Sequence, residues 1–253
     1  MSRRLQSPRD LIPVGTNSHS PKKFQIVVAD DHPLIRDALI RLIGTQPDLA
    51  CAAVTDNTPE AKRLIERSAP DLLILDLRLK SGDALELIKA LRLEHPDVKV
   101  LVFSQYDELT FAERALRAGA LGYIMKENAA DELLRAIRRV LSGEMYYSDR
   151  VGARLVRQSL ERRPDVPLDG VARLSDRELQ VFQLISTSHS TREIAQQLNL
   201  SIKTVESHRE NIKSKLNLHN AAELHQFAQA WAAKNLLPFA PEPQSAARHS
   251  RRA

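Results

Sequence analysis

Short aliphatic runs alternating with stretches of helical periodicity constrain this chain more than any feature of its composition. Residues 24–29, 49–54, 72–76, 98–103 and 121–125 each read as a buried strand. After the first run, Leu34, Ile35, Ala38, Leu39, Leu42 and Ile43 recur at helical spacing behind Pro33, which suits a helix's first position. Asp31 or His32 stands where that helix needs its cap. Further helices are expected over 58–68, 84–93, 108–118 and 129–141. Parallel strands need crossover helices, so this alternation predicts a doubly wound α/β domain.

The ends of the strands carry the chemistry. Leu72-Leu73-Ile74-Leu75 is apolar on both faces, as a central parallel strand should be, yet it ends in Asp76. A lone Asp there ordinarily opens a loop. The first strand, however, ends in Asp30-Asp31, the fourth at Ser104 and the fifth at Lys126. With a flavodoxin-like strand order of 2-1-3-4-5, these ends converge on one crevice at the topological switch point. Four independent coincidences are a poorer account than one site.

Three clustered carboxylates repel one another unless a cation neutralises them. All-oxygen ligation with room for water selects a hard ion, and Mg²⁺ is the expected cofactor. Asp76 beside it can act as a carboxylate nucleophile and form an acyl phosphate. Lys126 would compensate charge on the phosphoryl oxygens and the Ser104 hydroxyl would donate a hydrogen bond. No glycine-rich phosphate cradle is present, so the expected donor is a phosphorylated side chain or a small acyl phosphate rather than a nucleotide.

On these residues, 24–141 resembles the receiver domain of bacterial two-component response regulators. The resemblance implies Asp76 as phosphoacceptor, Asp30, Asp31, Asp76 and the backbone carbonyl of Arg78 as metal ligands, and Ser104 with Tyr123 as a switch pair. In that family phosphorylation draws the hydroxyl residue inward and turns the aromatic. Relatives often have Pro-Gly where this chain has Lys80-Ser81, so the shape of that loop is an open point.

The rear of the chain is helical throughout. Ser175 caps a helix whose buried stripe is Leu179, Phe182 and Ile185, and Asp176 and Glu178 load its first turn favourably. A second helix over 191–198, a tight turn at Asn199-Leu200-Ser201, a third helix over 203–216 and a fourth over 220–234 follow. On the third, Val205, Ile212 and Leu216 face the core with His208 beside them, and Lys203, Ser207, Glu210 and Ser214 point away. The runs Leu174-Ser175-Asp176-Arg177-Glu178, Arg192-Glu193-Ile194-Ala195 and 200–208 closely resemble the LuxR-type helix-turn-helix of NarL/FixJ-type response regulators. The resemblance and the wheel together nominate Lys203, Thr204, Ser207, Arg209, Glu210 and Lys213 as DNA-contacting. Relatives usually carry Gly where this chain has Ser188, which leaves the turn before Ser190 open.

Composition agrees with this division. The net charge of +5 is unevenly spread: a basic amino-terminal stretch, an acidic front domain and a more basic rear. The single cysteine, Cys51, sits in an apolar run, where a buried small hydrophobe is expected. A disulfide framework is excluded, which suits a reducing cytoplasm. No apolar stretch approaches the roughly 20 residues that cross a bilayer, and the arginines near the start precede no apolar segment, so neither a membrane partner nor a secretory signal is expected.

The expected architecture is therefore a disordered basic tail (1–22), an α/β flavodoxin-like receiver domain (23–142), a linker (143–173) with a helix near 151–160, a small all-α helix-turn-helix domain (174–235) and a second disordered tail (236–253). The resemblance implies a cytoplasmic transcription regulator, not an enzyme. A sensor histidine kinase and promoter DNA are its partners, RNA polymerase is a further candidate, and a homodimer forms on phosphorylation. Two alternatives stay in view. One is the same architecture working without phosphorylation. The other is a phosphatase with Asp76 as nucleophile, which needs a general-acid carboxylate shortly afterwards; Arg78 occupies the position two residues on.

Overall fold

The computed structural model describes residues 23–161 and 170–235. The two expected disordered tails, and Pro164 and Pro167 of the linker, lie outside the described residues. Five parallel strands, β1 (Phe24–Ala29), β2 (Leu49–Thr55), β3 (Leu72–Leu75), β4 (Lys99–Ser104) and β5 (Gly122–Met125), form one sheet in the order β2-β1-β3-β4-β5. The central strand β3 is buried at every residue, as its uninterrupted Leu-Leu-Ile-Leu requires. Each such side chain contributes about 1.5–3 kcal/mol of apolar burial, so this strand cannot be shifted to present a polar face.

Five helices cover the two faces: α1 (Pro33–Gly44), α2 (Thr58–Ser68), α3 (Ala84–Glu94), α4 (Glu108–Ala118) and α5 (Ala130–Leu141). Leu39 and Ile43 of α1 and Leu133, Ile137 and Val140 of α5 share one core with Ile26, Val28, Ile74 and Leu101. Ile65, Leu87, Ile88, Phe111 and Ala115 from α2, α3 and α4 share the other with Val27, Leu73, Leu75 and Val102. Asn57, Asp83 and Asp107 cap α2, α3 and α4 with their side chains. At α1 the cap position belongs to His32, whose side chain makes no capping bond. Cys51 is only half-buried, because β2 is an edge strand.

The connector after α5 is more ordered than its composition suggested. Tyr146 adds a parallel bridge beside β5: Tyr123 N donates to Tyr146 O (2.8 Å) and Tyr146 N donates to Leu121 O (3.0 Å). Helix α6 (Asp149–Glu161) then packs along α4. Beyond a 3-10 turn at Gly170–Arg173 come α7 (Asp176–Ser186), α8 (Thr191–Gln197), α9 (Ile202–Leu216) and α10 (Ala221–Asn235). Capping boxes start α7 (Ser175 with Glu178) and α8 (Ser190 with Glu193). Phe182, Ile185, Ile194, Val205, Ile212 and Leu224 are buried between these helices. Among the described residues, no helix is long and apolar enough to cross a membrane.

The two open turns are resolved differently. In the loop after Asp76, Gly82 takes the left-handed conformation (φ +86°), and Thr58 N donates to Ser81 O (3.1 Å). A β-carbon on Gly82 would overlap the Thr58 hydroxyl, so only glycine fits. At the end of α7 Ser188 itself is left-handed (φ 64°), where a side chain carries a steric cost. Ser188→Gly is accordingly expected to stabilise the helical domain by about 0.5–1 kcal/mol, since relief of that cost exceeds the entropy a glycine adds to the unfolded chain. Urea denaturation of the full chain measures it; a lower midpoint would show that the weak Ser188 Oγ contacts with His225 and Gln229, each 3.4 Å, matter more.

Candidate functional site

The carboxyl ends of β1, β3, β4 and β5 bring Asp30, Asp31, Asp76, Ser104 and Lys126 into one crevice. Asp30 and Asp76 are 1 % exposed and Ser104 is fully buried. Lys126 Nζ lies 2.6 Å from both Asp76 Oδ2 and Asp30 Oδ2. Ser104 Oγ and the backbone N–H of Arg78 both donate to Asp76 Oδ1 at 3.2 Å. Burial pushes the Asp76 carboxyl above its ordinary range; Lys126 opposes this and the Asp30 charge reinforces it. Asp31 is raised too, by burial, against the opposing charges of Arg78 and His32.

Carboxylate oxygens of Asp30, Asp31 and Asp76 and a His32 ring nitrogen lie within 4.8 Å of one another. Asp30 Oδ2 and Asp31 Oδ1 are buried without hydrogen-bond geometry to any donor, although Lys126 Nζ and His32 Nδ1 lie close. Hard oxygen donors left short of partners are what a divalent cation of the Mg²⁺ class satisfies. The residues therefore fit such an ion.

Sequence reasoning missed three members of this neighbourhood. His32, read only as a helix cap, places Nδ1 2.7 Å from Asp31 Oδ1 and 3.1 Å from Asp30 Oδ1, and its Nε2 lies 2.7 Å from Arg78 NH2. Arg36 NH1 donates to Asp30 O (2.6 Å), fixing the backbone of the acidic pair. It stands one helical turn after His32, and that spacing was the available signal. Tyr106, buried and stacked on Phe111 (4.8 Å between ring centroids), accepts the Tyr123 hydroxyl on its carbonyl (2.8 Å). Tyr123 is 2 % exposed and burial holds its phenol well above the ordinary range. Both members of the expected switch pair thus point inward.

The third helix of the helical domain, α9, presents Lys203, Ser207, Glu210 and Ser214 to solvent and buries Val205 and Ile212. Lys215 Nζ pairs with Glu178 Oε2 at 2.6 Å and so fastens α9 to the start of α7. Of the other nominated residues, Thr204 is half-buried and tied to the Ser201 cap (Oγ···Oγ1 2.7 Å), and Arg209 is half-buried. Lys213 Nζ is paired with Glu210 Oε1 at 2.9 Å. Ser207 Oγ donates to Lys203 O (3.0 Å), which keeps it close to its own helix.

Comparison with known proteins agrees with both halves. Residues 26–138 match the family described as "Response regulator receiver domain", and residues 172–228 match "Bacterial regulatory proteins, luxR family". The "Oxygen regulatory protein NreC" of Staphylococcus epidermidis is 33 % identical over 222 residues, covering 85 % of this chain and 100 % of that protein. The "Nitrate/nitrite response regulator protein homolog" of Haemophilus influenzae is 34 % identical over 198 residues, covering 78 % and 92 %. Among solved structures, RcsB of Salmonella enterica serovar Typhimurium, bound to a promoter in the presence of phosphomimetic BeF3⁻, superimposes with a TM-score of 0.63. It is 23 % identical and covers 83 % of this chain and all of that one, a likeness of fold. A LuxR-family two-component response regulator from an Aurantimonas species gives 0.51 at 29 % identity, covering 55 % of this chain and 99 % of its own.

Proposed function

The chain belongs to the bacterial two-component response regulators that join a receiver domain to a LuxR-family regulatory domain, and we propose that its switch is phosphorylation of Asp76. The observation that carries this is the convergence of Asp30, Asp31, Asp76, Ser104 and Lys126 on one buried crevice. An Asp76 carboxylate oxygen attacks the donor phosphorus, a P–O bond forms, and the donor's bond to phosphorus breaks with its electron pair. Lys126, freed from the carboxylates it now holds, follows the phosphoryl oxygens, and Ser104 donates its hydroxyl to one of them. Mg²⁺ held by Asp30, Asp31, Asp76 and the Arg78 carbonyl would supply charge neutralisation when bound. A hydrolase would need a general acid two residues after Asp76. The Arg78 guanidinium there is committed to Asp31 and His32 instead.

We assign residues 23–142 to the receiver, 143–173 to the linker and 174–235 to the DNA-binding domain. A sensor histidine kinase is the protein donor in this reading, and promoter DNA is bound through α9; the RcsB structure is described as bound to a promoter. Two recognition helices on a two-fold DNA site call for a dimer, which phosphorylation favours. The setting is the cytoplasm, with RNA polymerase as a further candidate partner.

Incubation with acetyl phosphate tests the acceptor. Intact mass should show one added phosphoryl group when Mg²⁺ is present and none when EDTA is present from the start; labelling undiminished without divalent cation would exclude the metal. The rival reading is the same architecture working without phosphorylation. Sedimentation of the two forms separates these: phosphorylated protein should associate more strongly, and identical association would favour the rival reading.

A further inference from the structure

The helical domain does not stand clear of the phosphorylation crevice. Arg114 on α4 donates from NH1 to Asp176 Oδ1 (2.9 Å) and from NH2 to the carbonyls of Ala172 (3.0 Å) and Leu174 (2.7 Å). Lys89 on α3 reaches the other oxygen of Asp176 at 3.1 Å. Beside this polar latch, Phe111 of α4 meets Trp231 of α10 at 6.4 Å between ring centroids, and Trp231 in turn meets Phe182 of α7 at 5.5 Å. The docked domain hangs the end of α7 and the start of α8 over the mouth of the crevice. Between them remains a cleft of about 680 Å³, with Arg78, Lys80 and Ser81 on one wall and Thr187, His189 and Glu193 on the other. The outward face of α9 stays exposed in this arrangement. Docking therefore covers the input site and not the recognition face.

We propose that the docked helical domain is a size filter on the phosphodonor, admitting a small acyl phosphate to Asp76 and excluding a phosphohistidine carried on a helix of another protein. This rests on the reading of Asp76 as acceptor. A helix with side chains is about 10–12 Å across. Arg78, Lys80 and Ser81 face Thr187, His189 and Glu193 across the cleft, so a donor of that width meets the docked domain before it reaches Asp76, whereas a small acyl phosphate passes between the walls. A protein donor reaches Asp76 only when the latch at Arg114 and Asp176 opens. The fraction of open chain, rather than the chemistry at Asp76, then sets the response to a kinase.

The filter is tested with thiols of graded reach on the full chain. Ser81→Cys is placed in a Cys51→Ala background, leaving one thiol on the cleft wall. It is labelled with N-ethylmaleimide and with a polyethylene-glycol maleimide of several kilodaltons. The polymer should react about tenfold faster once Arg114→Ala removes the three charged hydrogen bonds of the latch. Asp176→Asn, which keeps side-chain size, should act in the same direction, and the small reagent should change little. Polymer rates equal with and without the latch would overturn the proposal. In parallel, acetyl phosphate should label latched and unlatched chains at similar rates; labelling confined to Arg114→Ala would overturn it, because the docked form would then exclude small donors as well. No labelling of any form would instead remove the acceptor reading on which the proposal stands, and the polymer rates would show separately whether the cleft filters by size.

Discussion

Asp76→Asn is expected to take up no phosphoryl group from acetyl phosphate under conditions where the parent chain is labelled fully. An amide is no nucleophile for phosphorus, and the neighbouring carboxylates are committed elsewhere. Asp30 Oδ1 accepts from the His32 backbone N–H (2.9 Å), and Asp31 pairs with His32 and Arg78. The variant should remain folded, because the amide is isosteric and Lys126 keeps Asp30 at 2.6 Å. Lys126→Ala makes a different variant. It keeps the nucleophile but removes the main charge opposing the rise of the Asp76 pKa, and it takes away the cation that follows the phosphoryl oxygens. Labelling should slow by about 10²-fold, the usual cost of one charge-stabilising donor. Intact mass against time, with circular dichroism as a fold check, decides both. Undiminished labelling of Asp76→Asn would place the acceptor elsewhere.

The residues that make this test possible were legible in the sequence because strand ends are. A parallel strand buried on both faces has no use for a polar residue, so Asp76 after Leu72–Leu75 and Ser104 at the end of β4 stand out against their own strands. Pattern also places the helices, with ends that differ from expectation by only a residue or two, since caps such as Asn57, Asp83 and Ser175 are written in residue type. What pattern does not carry is contact between residues far apart in the chain. Arg114 and Asp176 are separated by 62 positions and a linker, and each reads alone as an ordinary surface charge. His32 has the same problem in miniature: its cap position is local and visible, whereas its bond to Arg78 crosses 46 residues. The loop after Asp76 lies between these cases. With Lys80-Ser81 where relatives often carry Pro-Gly, the left-handed residue of this loop is Gly82, and Lys80 pairs with Asp56 (2.7 Å).

On the recognition helix, Lys213→Ala and Glu210→Ala are expected to fail in different ways, and the ion pair between them sharpens the contrast. Lys213 flanks the outward face and suits a phosphate contact. Its loss should weaken binding to operator and random duplex alike and lower the salt slope by about 1. Glu210 cannot bind a phosphate, but its 71 % exposed side chain can accept from a cytosine amino group in the major groove. Its loss should cost about 1–3 kcal/mol on the preferred sequence alone. The pair itself contributes little to the free protein, being exposed on the Glu210 side, so Glu210→Ala should not shift thermal stability appreciably, whereas Lys213→Ala also loses the contacts of a side chain only 17 % exposed. Removing Glu210 also frees the Lys213 ammonium, which gives random duplex a small gain while the operator loses. Opposite signs on the two duplexes are therefore the signature of base reading. Titrations of both at several salt concentrations measure it. If Glu210→Ala tightens both by the same factor, the carboxylate only repels the backbone, and base reading falls to Lys203, Thr204 and Ser207. Of these, Lys203 alone projects a long cation from the first turn of α9, since Thr204 is spent on the Ser201 cap and Ser207 bonds back to its own helix.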